Sequence, residues 1–125
     1  MASTKEALWA YAEALPTACE ESRRTKISRT YYALYHHALD FHLSLPENER
    51  GVAAGDARGV HQVLLSRLAN PQTKDLGVQT KSRKIGTYLR LARELREDAD
   101  YHNDKNVSDT DVRRCLKWVS QGLEA

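Results

Sequence analysis

The chain has little with which to cross-link, kink or embed itself. Its 125 residues hold only two cysteines, Cys19 and Cys115, isolated and without metal-type spacing. In a reducing compartment the expectation is two free thiols and no disulfide. Three prolines and six glycines are few, which excludes collagen-like and low-complexity chains. No apolar run approaches the roughly 20 residues that cross a bilayer. The N-terminus, MASTKEALWAYAEALP, carries acids where a secretory leader has a basic segment and then an apolar one. A cytoplasmic location is therefore expected, with no membrane partner.

Charge of one sign is also missing. Nineteen basic residues stand against seventeen acids, a net charge of +2, short of what a nucleic-acid coat protein carries. Any nucleic acid would be bound locally. The candidate patches are RRTKISR, Arg23 to Arg29, and the run Lys81, Arg83, Lys84, Arg90 and Arg93.

What remains is an ordinary globular balance, 41% hydrophobic and 29% charged, which argues against disorder and for one domain spanning 1–125. Apolar residues recur three and four apart and no segment alternates with period two, so helices are expected and strands are not. A first helix runs from about Thr4 to Leu15, with Leu8, Tyr11 or Ala12, and Leu15 on one face, until Pro16 breaks it. A second, roughly Thr17 to Leu45, carries Ile27, Tyr31, Leu34, Tyr35, Ala38 and Phe41 in a wide stripe and should be central. PENERGVAAGDARG then reads as a long connection. A third helix, about Arg58 to Ala69, uses Val60, Val63 or Leu64, and Leu68. A fourth, about Thr80 to Tyr101, turns Ile85, Tyr88, Leu89, Ala92, Leu95 and Ala99 inward. Ser108 with Asp111 resembles a capping box that opens a fifth helix, about Asp109 to Leu123. The sum is an all-α, up-and-down bundle of about five helices.

Chemistry concentrates in ELREDADYHND, Glu94 to Asp104. Arg96 borders the buried stripe, and Asp100, four residues on, could pair with it; Asp98 stands four before His102 and could hold its imidazole. A histidine that titrates near neutrality beside an arginine fork is what cleavage of an RNA phosphodiester requires: one moves protons, the other stabilises charge on phosphate oxygens. Six positions turn a helix through about 240°. Arg96 and His102 could therefore meet only if the helix ends near Tyr101 or a second copy brings its own pair alongside. The plainer reading is a solvated salt-bridge cluster at a helix end.

Other residues have competing readings. Arg29, set in an apolar helix, would need an acid, Asp98 or Asp100, as a structural strut. Tyr31, Tyr32 and Tyr35 fit core packing, although Tyr32 and His36 share a face and could line a cleft beside Arg29. Arg90 and Arg93 lead toward Arg96 and could follow an RNA backbone, or simply pair with Glu94 and Glu97. The adjacent His36 and His37 point about 100° apart on a helix, so no metal site is expected. GVAAGDARG has neither the lysine nor the strand of a nucleotide cradle, and no cofactor is expected.

The stretches SRTYYALYHHAL (Ser28 to Leu39), GVHQVLLSRL around His61, LRLARELREDADYH and VSDTDVRRCLKWVSQGL come in an order and spacing that resemble the HEPN superfamily, over about Ala7 to Leu123. The resemblance implies a helical-bundle homodimer acting as a metal-independent endoribonuclease, a toxin or defence effector. By the same resemblance, Arg96 and His102, with five residues between them, are the phosphate clamp and the acid/base of a composite site. The reaction implied is transesterification to a 2′,3′-cyclic phosphate. A nucleotidyltransferase-type antitoxin is the implied partner, with Tyr101 the candidate for modification. The rival expectation is a catalytically inactive helical adaptor for such a partner, and a third is RNA binding without cleavage.

Overall fold

A computed structural model describes residues 4–125. Among them lie five α-helices and no strand: α1 (Lys5–Ala14), α2 (Glu20–Ser44), α3 (Gly59–Ala69), α4 (Leu76–Tyr101) and α5 (Asp109–Glu124), with a 3-10 turn, Glu47–Glu49, between α2 and α3. The all-α bundle expected from periodicity is the architecture found.

Caps decide where each helix begins, and they moved two starts. Thr4 accepts the Ala7 N–H at 3.1 Å and opens α1, and Ser108 with Asp111 forms the reciprocal box that opens α5. The second helix starts at Glu20 rather than Thr17, because the Ser22 hydroxyl reaches back to accept the Cys19 N–H at 3.1 Å. The fourth starts at Leu76, four residues before Thr80, because Asp75 accepts from Gly77 and Val78 N–H at 2.9 and 3.2 Å. Gly77 makes that turn resemble a loop in sequence, and the cap overrides it.

Cross-helix contacts give the directions. Arg24 at the start of α2 reaches the end of α4, while Lys81 near the start of α4 lies over the Phe41 ring near the end of α2; these two helices are antiparallel. Ser82 of α4 donates to the Leu68 carbonyl of α3 at 2.7 Å, and the Lys26 ammonium of α2 caps the end of α1 through the Glu13 and Leu15 carbonyls. Ile27, Tyr31 and Leu34 of α2 meet Ile85 and Leu89 of α4 and Val119 of α5 in one core, each 1% exposed or less. Cys115 is buried there, which pushes its thiol up to about 12 and leaves it unreactive; Cys19 is an exposed free thiol. On α1 it is Ala12 that is buried and Tyr11 that is exposed, and Val60, expected inside, is 69% exposed in the first turn of α3. No helix among the described residues is long and apolar enough to cross a membrane.

The connection before α3 is pinned rather than loose. Arg50 donates to the Leu45 and Leu43 carbonyls at 3.0 and 2.8 Å, and Gly51 packs so closely on α3 that a Cβ would sit 1.6 Å from the Arg67 carbonyl oxygen. Gly51→Ala should therefore lower stability by roughly 2–3 kcal/mol through overpacking, read as a lower urea midpoint. Gly55→Ala, which meets nothing within 4 Å, should leave that midpoint in place.

Burial, joined by nearby cations, holds His37, His42 and His61 below the ordinary histidine pKa. The unfolded chain then binds more protons than the folded one as pH drops below about 6.5, so stability rises with pH through that region and is lost on acidification. Urea midpoints should fall between about pH 7.5 and about pH 5.5, and His42→Gln should reduce the slope.

Candidate functional site

The end of α4 is held from outside the helix. Arg24 Nη1 donates to the Asp98 and Ala99 carbonyls, both at 3.0 Å, and its guanidinium also reaches the His102 and Lys105 carbonyls. The last carbonyls of a helix and of the turn after it are short of donors, each having at most one backbone partner, and a cation there also suits the helix dipole. Glu20 fixes Arg24 from the other side at 3.1 Å and accepts the Val107 N–H at 2.8 Å. That backbone hydrogen bond, with the two arginines, lowers the Glu20 pKa against its partial burial. Arg23 closes the clamp by donating to the Val107 carbonyl at 2.7 Å. Most of the RRTKISR run is thus spent on backbone carbonyls: Lys26 is buried, Arg23 and Arg24 are half-buried, and of its basic residues only Arg29 is exposed.

Arg96 is sunk into this end of the bundle, its side chain 12% exposed. Its Nε lies 2.8 Å from Asp100 Oδ2, but the N–H is not aimed at the carboxylate, so the contact is an ion pair without a directed hydrogen bond. Nη2 donates to the Tyr101 hydroxyl at 3.3 Å, and the guanidinium lies over the Tyr31 and Tyr101 rings at 5.5 and 5.2 Å, a cation–π arrangement that fixes its plane. Nη1 has no hydrogen-bond partner among the described residues.

His102 is the C-cap residue of α4. Its backbone N–H reaches the Asp98 carbonyl at 3.2 Å, and its exposed ring has no hydrogen bond or ion pair among the described residues. Within one chain Arg96 and His102 sit at the same helix end, and no hydrogen bond joins them.

Two supporting roles expected from sequence are corrected. Asp98 does not hold the His102 imidazole, because its carboxylate pairs with Lys105 at 3.1 Å. Arg29 is no strut to Asp98 or Asp100: it is exposed, and its guanidinium lies 5.0 Å from the Tyr32 ring centroid. Water solvates its charge, so no acid is needed. Asp100 instead accepts from Ser28 at 3.3 Å while pairing with Arg96. Arg90 and Arg93 pair with Glu94 and Glu97, four residues on, at 3.6 and 2.9 Å. Arg90 opens onto a separate groove of about 280 Å³ against α3, shared with Arg83, so it does not extend a track toward Arg96.

A third element enters the site unannounced by the sequence. His61, in the first turns of α3, places Nδ1 2.7 Å from the Tyr31 hydroxyl, and its ring packs on Tyr35 at 4.6 Å. Burial lowers its pKa, and the Arg96 and Arg93 guanidiniums lower it further against Glu97. Burial raises the pKa of Tyr31 against the same two arginines. From Tyr35 an aromatic ledge continues along α2 to His36 and Tyr32, their rings 5.5 Å apart, and ends under Arg29. Tyr32 and His36 therefore do share a face beside Arg29. GVHQVLL was the only trace of His61 in the chain, and Arg24 had only its spacing from Glu20.

The structure defines a small all-α bundle whose most elaborated surface is the α2–α3–α4 end around Arg96. No protein-family model, no curated protein and no solved structure matches the chain. Among the described residues no group of three or more histidine, cysteine or acidic side chains is placed to hold a metal ion.

The Arg24 clamp is directly testable. Arg24→Ala should cost about 2 kcal/mol, the scale of losing hydrogen bonds to a charged donor. Amide exchange should quicken at His102 and Lys105, whose N–H groups close the turns at this end. Arg24→Lys should recover only part of the loss, since an ammonium cannot span those carbonyls as a planar fork does.

Proposed function

We propose that the chain is a HEPN-type endoribonuclease acting as a toxin or defence effector, cleaving RNA at a composite site between two copies. The observation that carries this reading is the state of Arg96. Its guanidinium is fixed by two tyrosine rings and Asp100 while Nη1 stays uncommitted, one and a half turns from a helix end where the His102 ring is unengaged. A second copy docking there would set the imidazole of one protomer against the guanidinium of the other. The backbone clamp of Arg24 and Glu20 would hold His102 at the required place.

In such a site His102 takes the proton of the ribose 2′-hydroxyl as its oxygen attacks phosphorus. The Arg96 fork stabilises the charge gathering on the non-bridging oxygens. The bond to the leaving 5′-oxygen breaks, that oxygen takes a proton from solvent water, and a 2′,3′-cyclic phosphate remains. Single-stranded RNA suits the ledge of Tyr32 and His36, whose rings offer faces for bases, with Arg29 nearby for a phosphate. A nucleotidyltransferase-type antitoxin remains the proposed regulator, and Tyr101, 67% exposed and bonded to Arg96, is where modification would act on the site.

A second reading is favoured by one observation: Asp100 already neutralises Arg96, as it would in a catalytically inactive adaptor that binds the nucleotidyltransferase-type partner. Cleavage of a mixed RNA pool in EDTA separates the two. Wild type should cut and leave cyclic phosphate ends, while His102→Ala and Arg96→Ala, folded and with unchanged oligomeric state, should lose at least ~100-fold in rate, as expected for an acid/base group. A pool left intact by folded wild-type dimer would assign the chain to the adaptor.

A further inference from the structure

We infer that His61 contacts the ligand directly, and that its imidazole and the Arg96 guanidinium form an oxyanion site for a phosphate group on the α2–α3–α4 face. The site stands on geometry within one protomer; only the view that the phosphate belongs to RNA rests on the ribonuclease reading.

The tautomer of His61 follows from what surrounds it. Tyr31 is 0% exposed and its hydroxyl has one hydrogen-bond partner, His61 Nδ1 at 2.7 Å. A buried O–H with no acceptor costs more than an unused lone pair on the same oxygen, since a carbonyl-like acceptor commonly leaves one lone pair free. The phenol therefore donates, Nδ1 accepts, and the ring proton sits on Nε2. Nε2 has no partner among the described residues and keeps some contact with solvent on a half-buried ring. Packing on Tyr35 at 4.6 Å holds the ring plane.

The same Tyr31 ring that anchors His61 lies beneath Arg96 at 5.5 Å. One buried tyrosine thus sets the position of both groups. Burial, and after it the Arg96 and Arg93 guanidiniums, favour the neutral ring, so His61 presents an N–H rather than a second full charge. A fixed fork and a neutral N–H donor carried on the same tyrosine ring complement tetrahedral phosphate oxygens, which accept from several directions at once. Asp100 and Glu97 hold the arginines from within α4, at Arg96 Nε and Arg93 Nη2, and leave Arg96 Nη1 available. A carboxylate could use the same donors. The adjoining ledge of Tyr35, His36 and Tyr32 argues for a nucleotide, because bases stack on such faces and an acidic peptide has no use for them.

The test uses the full chain with ¹⁵N-labelled histidine side chains, titrated separately with inorganic phosphate, a non-cleavable 2′-O-methyl oligoribonucleotide and polyglutamate. His61 should show an accepting Nδ1 and a protonated Nε2 before titration. Phosphate and the oligonucleotide should shift its Nε2 signal while polyglutamate does not. The shift should vanish in Arg96→Gln and persist in His102→Ala, and His61→Gln should weaken oligonucleotide binding by about tenfold, the loss of one charge-assisted hydrogen bond. A protonated Nδ1, a silent Nε2 with either phosphate ligand, or an equal response to polyglutamate would overturn the assignment. A response to phosphate with no oligonucleotide bound would uphold the site and assign it to a small phosphate, whereas failure of the ribonuclease reading would appear separately, as absence of RNA cleavage by wild type.

Discussion

The last turn of a long helix is a row of carbonyl oxygens short of donors, and α4 ends among the residues that matter most. Arg24 supplies the missing donors from the opening turns of α2, with Glu20 and Arg23 binding the segment that follows. Without that clamp α4 would fray through Asp98 to Tyr101, carrying Asp100 away from Arg96. The turn from His102 to Val107 would then have no reason to hold one course. Charge that looks in sequence like a surface patch for nucleic acid is consumed in fixing backbone.

Tyr31 is the complementary constraint on the other side of the site. Its ring lies in the core, its hydroxyl holds α3 through His61, and its outer face carries Arg96. Three helices therefore converge on one residue, and the geometry of the arginine is tied to the core rather than to a flexible surface.

Period and punctuation made the helices legible, because a stripe such as Ile85, Leu89 and Ala92 repeats whatever its neighbours are. The starts of α2 and α4 were not legible, since they turn on single caps, Ser22 reaching back and Asp75 reaching forward. Arg96 and His102 stood out as a chemical pair in one short run, and Asp100 followed from helical spacing. Arg29 misled because a wide apolar stripe does not say which of its edges faces water. The roles of Arg24 and His61 could not be read from the stretches that hold them: each acts on residues 30 or more positions away, and only the packing of three helices brings them to the site. The HEPN resemblance and the ribonuclease reading rest on motif and chemistry, while the architecture shows an all-α bundle of five helices among the described residues.

The phenol of Tyr31 and the imidazole of His61 also limit how this sequence can drift. If His61 were lost alone, a hydroxyl would be stranded in the core, which costs about 1–3 kcal/mol; if Tyr31 became phenylalanine alone, the histidine would lose the bond that orients it. Descendants of this chain should keep both or give up both together, with phenylalanine at 31 accompanying an apolar residue at 61. Co-substitution at two positions thirty apart is the mark such a coupling leaves on a lineage.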